Sequence, residues 1–187
     1  MMLYRVFPYL AGAAADEPGG AFFRPRGGKN RADATDGSYR CLYVGDTPEG
    51  SIAEAFGRFD SWDKALLEAD PATPLLPRSR FALATYGMHE DEKIRDLDDA
   101  RVLVAEGLRP SDVVTRNRLI TQAWAMRIYA GGHYAGVSWW SYYDASWHSL
   151  AVWNISRLQL IGEPELLRLR GTAVERAAGT IARRLIR

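Results

Sequence analysis

The sequence predicts one domain that combines β-strands with α-helices. A length of 187 residues and a charged fraction of 25% are ordinary for a globular domain with a sizeable core. Several short segments alternate apolar and polar residues, which is the pattern of strands. Other segments repeat apolar residues at helical spacing. No internal repeat or domain boundary is visible, so residues 1–187 are expected to form a single domain.

The first predicted strand covers residues 3–8, in which Arg5 faces away from Tyr4 and Val6. The next segment, residues 12–30, is rich in alanine, glycine and proline. It is too apolar for a solvated linker and too rich in glycine for a helix. We therefore expect an ordered loop that closes over another part of the protein.

Cations cluster in and beside this loop: Arg24, Arg26, Lys29 and Arg31, next to Gly27 and Gly28. Glycine allows backbone amides to approach an anion closely, and arginine binds phosphate oxygens in a bidentate manner. The cluster therefore fits an anion-binding loop. A solvated basic turn explains the same residues.

A strand and a helix follow, and they are the most informative block of the chain. The strand is expected at residues 39–44. Thr47 can cap the helix, and Pro48 suits its first position because no amide hydrogen is needed there. An apolar stripe follows at helical spacing: Ile52, Ala55, Phe56 and Phe59. Glu54 lies off this stripe, so periodicity alone places it in solvent.

The second half of the chain predicts further strands and helices. A short helix is expected at 61–69 and a strand at 79–86, while 97–105 fits either. The longest helix is expected at 112–129, capped by Ser111 and ended by Gly131 and Gly132. An aromatic hairpin follows, with its turn at 144–146. One or two short strands are expected within 158–169, and an amphipathic helix at 172–185.

Composition excludes several classes of protein. The formal net charge of +1 argues against a general polyanion binder. Cys41 is the one cysteine, which excludes an internal disulfide, and its apolar surroundings predict a small core residue. His89, His133 and His148 lack the spacing of metal ligands, so no metal site is expected. No leader or membrane-length apolar stretch is visible, so a cytoplasmic protein that does not enter membranes is expected.

A family resemblance adds to these observations. The chain carries Y-R-V near its start, a glycine-rich basic loop, then YRCLYVGDTPEGSIAEAF, TQAWA and AGVSWWSYYD. This order resembles the RES-domain family, which is named for its arginine, glutamate and serine and includes the toxins of RES–Xre toxin–antitoxin pairs. The resemblance covers nearly the whole chain, and the LYVGDTPEGSIAEAF block is its most specific part.

The family's functional residues match five positions: Arg5, Arg31, Tyr43, Glu54 and Ser141. Many members have G-G-R-W-N where this chain has Gly27-Gly28-Lys29-Asn30-Arg31, so Lys29 or Arg26 can replace Arg31 as the loop cation. Ser138 is likewise an alternative to Ser141, although the spacing from Gly136 favours Ser141.

The resemblance implies an α+β fold similar to ADP-ribosyltransferase toxins, with a split antiparallel β core and flanking helices. It implies an NAD-consuming enzyme that cleaves the nicotinamide–ribosyl bond as a glycohydrolase or phosphorylase, and that acts as the toxin of a toxin–antitoxin pair. The implied partners are NAD and an Xre-type antitoxin, with nucleic acid reached only through the antitoxin. Protein ADP-ribosyl transfer is the alternative in the same chemistry. A non-enzymatic module that binds single-stranded nucleic acid or another partner through its aromatic and basic residues is the alternative of another class.

Each matched residue has an implied role. Glu54 stabilises the oxocarbenium-like ribose that forms when nicotinamide leaves. Arg5 and Arg31 hold the phosphates or the nicotinamide ribose. Tyr43 positions that ribose, and Ser141 hydrogen-bonds the nicotinamide end.

Overall fold

The computed structural model describes residues 1–68 and 76–186. In chain order, its elements are β1 (Met2–Tyr9), β2 (Leu42–Gly45), α1 (Pro48–Phe56), β3 (Ser61–Trp62), α2 (Lys64–Leu67), β4 (Arg80–Met88), β5 (Ile94–Asp96), α3 (Ala100–Glu106), α4 (Pro110–Val114), α5 (Arg118–Ala130), β6 (Gly136–Trp140), β7 (His148–Val152), β8 (Leu158–Leu160), β9 (Glu165–Leu166), α6 (Thr172–Thr180) and β10 (Arg184–Leu185).

The central sheet runs in the order β5-β6-β7-β2-β1-β4-β8, and β9 also pairs with β4. β5 and β6 are parallel, whereas the other pairs in this sheet are antiparallel. The aromatic hairpin predicted from the sequence is confirmed as β6 and β7. β10 pairs with β3 in a separate parallel ribbon, and α6 packs against α1.

The sheet opens between β1 and β2. β1 pairs with β4 along its whole length, but it pairs with β2 only at Tyr4 and Gly45. Beyond this point the two strands diverge. α1 bridges the gap, because the hydroxyl of Ser51 donates a hydrogen bond to the backbone oxygen of Tyr4 at 3.0 Å.

α1 is held in place by its apolar side. Thr47 caps the helix as predicted, accepting a hydrogen bond from the Gly50 amide, and Pro48 begins it. Ile52 and Phe56 are fully buried among residues of α6 and the start of β3. Burial of one such side chain contributes about 1.5–3 kcal/mol. The opposite side of α1, which carries Glu54, remains exposed and faces the opening between the strands.

The prediction of one helix at 112–129 is wrong. The segment forms α4 and α5, and the helical path breaks at Thr115, whose backbone is extended. Asn117 starts α5 by accepting a hydrogen bond from the Leu119 amide. Short polar side chains bond nearby amides and so compete with helix continuation. Ser111, the predicted cap, lies inside α4, whereas Gly131 ends α5 as predicted.

Two other helix predictions are wrong in part. Residues 61–69 hold β3 and then the short helix α2, capped by Asp63; residue 69 lies outside the described residues. The helix at 172–185 stops at Thr180, and the left-handed backbone of Ala182 turns the chain into β10. The ambiguous segment 97–105 is mainly helix α3, ended by Gly107 in the left-handed conformation.

Candidate active site

A cavity of about 460 Å³ lies where β1 and β2 diverge. This volume is within the range of pockets that bind small molecules and cofactors. The cavity is lined by residues of β1, β2 and α1, of the segment that leads from α4 into α5, and of the hairpin formed by β6 and β7. Of the five residues that the family resemblance matched, Arg5, Arg31, Tyr43 and Glu54 line this cavity. Ser141 is outside the lining, but it hydrogen-bonds Glu54, which is part of it.

Ser141 contacts Glu54. The hydroxyl of Ser141 donates a hydrogen bond of 2.6 Å to the Glu54 carboxylate and accepts one of 3.2 Å from the Tyr143 amide. The Ser141 amide donates to the backbone oxygen of Trp147, and its side chain is buried. A serine hydroxyl has one proton, so Ser141 is positioned to orient Glu54 rather than to donate to a ligand.

The alternative serine, Ser138, does not face this site. It lies within β6, whereas Ser141 follows the end of that strand, and the Ser138 hydroxyl donates a 3.0 Å hydrogen bond to Asp96 at the end of β5. Ser138 is absent from the cavity lining. The geometry therefore favours Ser141 for the position that the family resemblance assigns to a serine.

Arg5 links the cavity to the loop that follows β1. Its Nη1 donates a 2.9 Å hydrogen bond to the backbone oxygen of Ala21, and its guanidinium lies over the Phe7 ring. The hydroxyl of Tyr86 donates to the same oxygen of Ala21. Burial lowers the pKa of Arg5 from its ordinary value, and the nearby Tyr86 opposes this shift. One role of Arg5 is thus to fix the loop against the sheet, while the side chain still lines the cavity.

The glycine-rich loop is organised around a buried carboxylate, Asp33. One oxygen of Asp33 accepts hydrogen bonds from the amides of Gly28, Lys29 and Asn30 at 2.9, 3.1 and 2.8 Å. These amides therefore bind an internal anion, and in this arrangement they are not free to bind an external one. Gln122 fixes the loop from the other side, because its amide nitrogen donates to the backbone oxygens of Gly28 and Asn30.

Tyr43 belongs to the same network. Its hydroxyl donates a 2.8 Å hydrogen bond to Asp33 and accepts one of 3.0 Å from the Ala32 amide. Burial raises the pKa of Tyr43 well above its ordinary value, and the charge of Asp33 adds to the increase. The ring lines the cavity while the hydroxyl holds the loop, so Tyr43 couples the two.

Arg31 is the loop cation that reaches the cavity, since Arg26 and Lys29 are exposed and outside its lining. Its guanidinium donates to the carbonyls of Val113, Val114 and Thr115 at the end of α4. It also lies 5.8 Å from the centre of the Trp139 ring. Burial lowers the pKa of Arg31, and the neighbouring charge of Arg118 lowers it further.

Sequence reasoning missed several residues of this site, notably Asp33, Arg118 and Gln122. Arg118 is the first residue of α5 and lines the cavity, and its Nη1 is buried without a hydrogen-bond partner among the described residues. The R-N-R run at 116–118 lay inside a helix that was expected to be continuous. Gln122 falls within the TQAWA segment, which contributes to the family resemblance but suggests no role for the glutamine.

The described residues contain no group of histidine, cysteine, aspartate or glutamate side chains arranged to hold a metal ion. His148 instead contacts Asp46 at 2.8 Å and Asp98 at 3.3 Å. Cys41 is buried as predicted, and burial raises the pKa of its thiol to about 12. None of the helices in the described ranges is long and apolar enough to cross a membrane.

Comparison with known proteins identifies the family. The RES domain model matches residues 2–169, so the chain belongs to the RES domain family. A chain in the crystal structure of the M. tuberculosis MbcT–MbcA toxin–antitoxin complex has a similar structure, with a TM-score of 0.60 and 18% sequence identity. The match covers 97% of this chain and 88% of the other. No curated protein matches significantly. The expected ADP-ribosyltransferase-like α+β fold is confirmed.

Proposed function

We propose that this protein cleaves the nicotinamide–ribosyl bond of NAD, transferring the ADP-ribosyl group to water or inorganic phosphate. The observation that carries the proposal is the Glu54 carboxylate, which Ser141 holds at 2.6 Å on the wall of a cavity that also contains arginine and aromatic side chains. RES family membership supports the same chemistry.

The proposed reaction begins with loss of nicotinamide. The bond between ribose C1′ and the pyridinium nitrogen breaks, and its electron pair neutralises the nitrogen. Positive charge then develops on the ribose ring. A fixed carboxylate stabilises this charge more strongly in the transition state than in the ground state. Water then adds to C1′ and releases a proton to solvent, or phosphate adds to C1′ through one of its oxygens. Glu54 is our candidate for the stabilising carboxylate.

Other wall residues suit the remaining parts of NAD. The cationic nicotinamide ring can lie against an aromatic face, and Trp139, Trp140 and Tyr142 line the cavity. The diphosphate requires cationic or amide donors, and arginine side chains supply them. We assign Arg5 and Tyr43 a double role, in which they line the ligand site and fix the loop above it.

We further propose that the protein acts in the cytoplasm as the toxin of a toxin–antitoxin pair, with residues 1–187 as a single domain. The similar M. tuberculosis chain comes from a toxin–antitoxin complex, which supports this proposal. An Xre-type antitoxin that covers the cavity would suppress NAD consumption. Co-expression with a neighbouring small helix-turn-helix protein tests this proposal, and unchanged NAD consumption in the purified complex would contradict it.

The activity is tested by incubating the purified protein with NAD, with and without inorganic phosphate, and identifying the products by mass spectrometry. Nicotinamide with ADP-ribose indicates hydrolysis, whereas nicotinamide with a phosphorylated ADP-ribose indicates phosphorolysis. Modified protein bands would indicate ADP-ribosyl transfer instead. Absence of nicotinamide release under all conditions would reject the enzymatic proposal. Oligonucleotide binding that weakens steeply with salt would then favour a nucleic-acid-binding module.

A further inference from the structure

Arg118 lines the cavity and has one unused hydrogen-bond donor. Its Nη1 is buried and has no partner among the described residues, although the side chain as a whole is partly exposed. A buried guanidinium nitrogen without an acceptor is unfavourable, and nearly all such groups in folded proteins have a partner. Arg118 lines the cavity and its side chain is partly exposed, so a rotation of the guanidinium would bring this nitrogen to an acceptor on a ligand in the cavity.

Arg31 lies close to Arg118 but has little hydrogen-bonding capacity left. Its two terminal nitrogens donate to three carbonyls at the end of α4, which fixes the guanidinium in place. The charge of Arg118 lowers the pKa of Arg31, so the two cations repel each other, whereas the charge of Glu54 on the same cavity wall opposes this decrease. Among the described residues, neither arginine forms an ion pair with a carboxylate.

These observations define a site for an anion. Two neighbouring cations without a paired carboxylate attract negative charge, and the free fork of an arginine matches the oxygens of a phosphoryl group. Arg31 supplies fixed positive charge, whereas Arg118 supplies the free donor. The neighbouring Arg116 also lines the cavity and is exposed.

We propose that Arg118, supported by Arg31, binds a phosphoryl group in the cavity. The inference rests on the proposed function in assigning two sources for this group: the diphosphate of NAD, or the inorganic phosphate that accepts the ADP-ribosyl group. Arg118 is thus the principal hydrogen-bond donor to the phosphoryl group, and Arg31 is a positioning residue that also contributes charge.

Binding of inorganic pyrophosphate, measured by calorimetry, tests the subsite without any turnover. The unmodified protein is expected to bind pyrophosphate, and Arg118→Gln is expected to weaken binding about 10- to 100-fold because one charged hydrogen-bonding group is lost. Arg101→Gln is the matched control, since it removes the same charge at an exposed position outside the cavity lining, where Arg101 pairs with Asp99. It should bind as the unmodified protein does.

Absence of pyrophosphate binding by the unmodified protein would overturn the inference, as would equal binding by Arg118→Gln. If Arg118→Gln does not fold, Arg118→Lys replaces it. This variant keeps the charge but loses the fork, and it should still bind pyrophosphate more weakly than the unmodified protein. Equal affinity would again overturn the inference. Thermal melting checks the fold of each variant.

Steady-state kinetics separate the two sources. If Arg118 holds the diphosphate of NAD, Arg118→Gln raises the KM for NAD in both the presence and the absence of phosphate. If it holds the acceptor, the KM for phosphate rises and hydrolysis is unchanged. An active enzyme in which neither KM changes would overturn the inference. An unmodified protein that binds pyrophosphate but releases no nicotinamide would reject the proposed activity and leave the subsite standing.

Discussion

Replacing Ser141 by alanine tests how the carboxylate of Glu54 is held. The substitution removes a 2.6 Å hydrogen bond to Glu54, and hydrogen bonds to charged groups contribute about 1.5–3 kcal/mol. Because Glu54 is exposed, water replaces part of this interaction, so the lower end of the range applies. We expect about a tenfold loss of kcat, with the KM for NAD changed by less than about twofold.

Ser138→Ala is the matched control. Ser138 is also a buried serine on the same segment, and its hydroxyl also donates to a carboxylate, but that carboxylate is Asp96, outside the cavity lining. Nicotinamide release is measured for both variants over a range of NAD concentrations, alongside their thermal melting. Similar kcat values for Ser141→Ala and the unmodified protein would refute the orienting role. A loss of kcat that is equally large in Ser138→Ala would refute it as well.

Two further predictions concern stability and the loop. Tyr43→Phe removes the hydroxyl that joins the Ala32 amide to Asp33, so we expect the free energy of unfolding in urea to fall by about 1–2 kcal/mol; an unchanged value would contradict the network. For His148, burial lowers the pKa, but hydrogen bonds to Asp46 and Asp98 outweigh burial and raise it overall. Its contribution to stability is therefore complete below the unfolded pKa of about 6.5 and is lost as pH rises through the higher folded value. His148→Gln should lose this decrease in stability above about pH 6.5, whereas the exposed His89→Gln should retain it; identical pH profiles of His148→Gln and the unmodified protein would contradict the assignment.

Local sequence signals predicted the elements that carry Glu54 and Ser141. Thr47 and Pro48 mark the start of α1 because cap chemistry is local and needs no tertiary contact. The aromatic hairpin is visible for the same reason, since alternation along a strand depends on neighbouring residues only. Periodicity placed Glu54 in solvent, which agrees with its exposure, and the resemblance supplied its proposed role.

The rest of the site depends on contacts between distant segments. Asp33 is a polar residue in a loop by sequence, but it is buried because three loop amides and Tyr43 surround it. The break between α4 and α5 positions Arg118, and Arg31 contacts the carbonyls at the end of α4 from more than eighty residues away. Hydrophobic periodicity depends on nearby residues and carries no information about contacts between distant segments. It therefore predicts one continuous helix where the structure has α4 and α5.

Glu54 is proposed to stabilise the transition state of nicotinamide release. The most direct measurement compares nicotinamide release from NAD by the unmodified protein, Glu54→Gln and the control Glu49→Gln. Glu49 lies on the same helix, contacts Arg176 and is outside the cavity lining. We predict that Glu54→Gln lowers kcat by at least about 100-fold, while Glu49→Gln and the melting temperatures stay close to the unmodified protein. Full activity in Glu54→Gln would contradict the account.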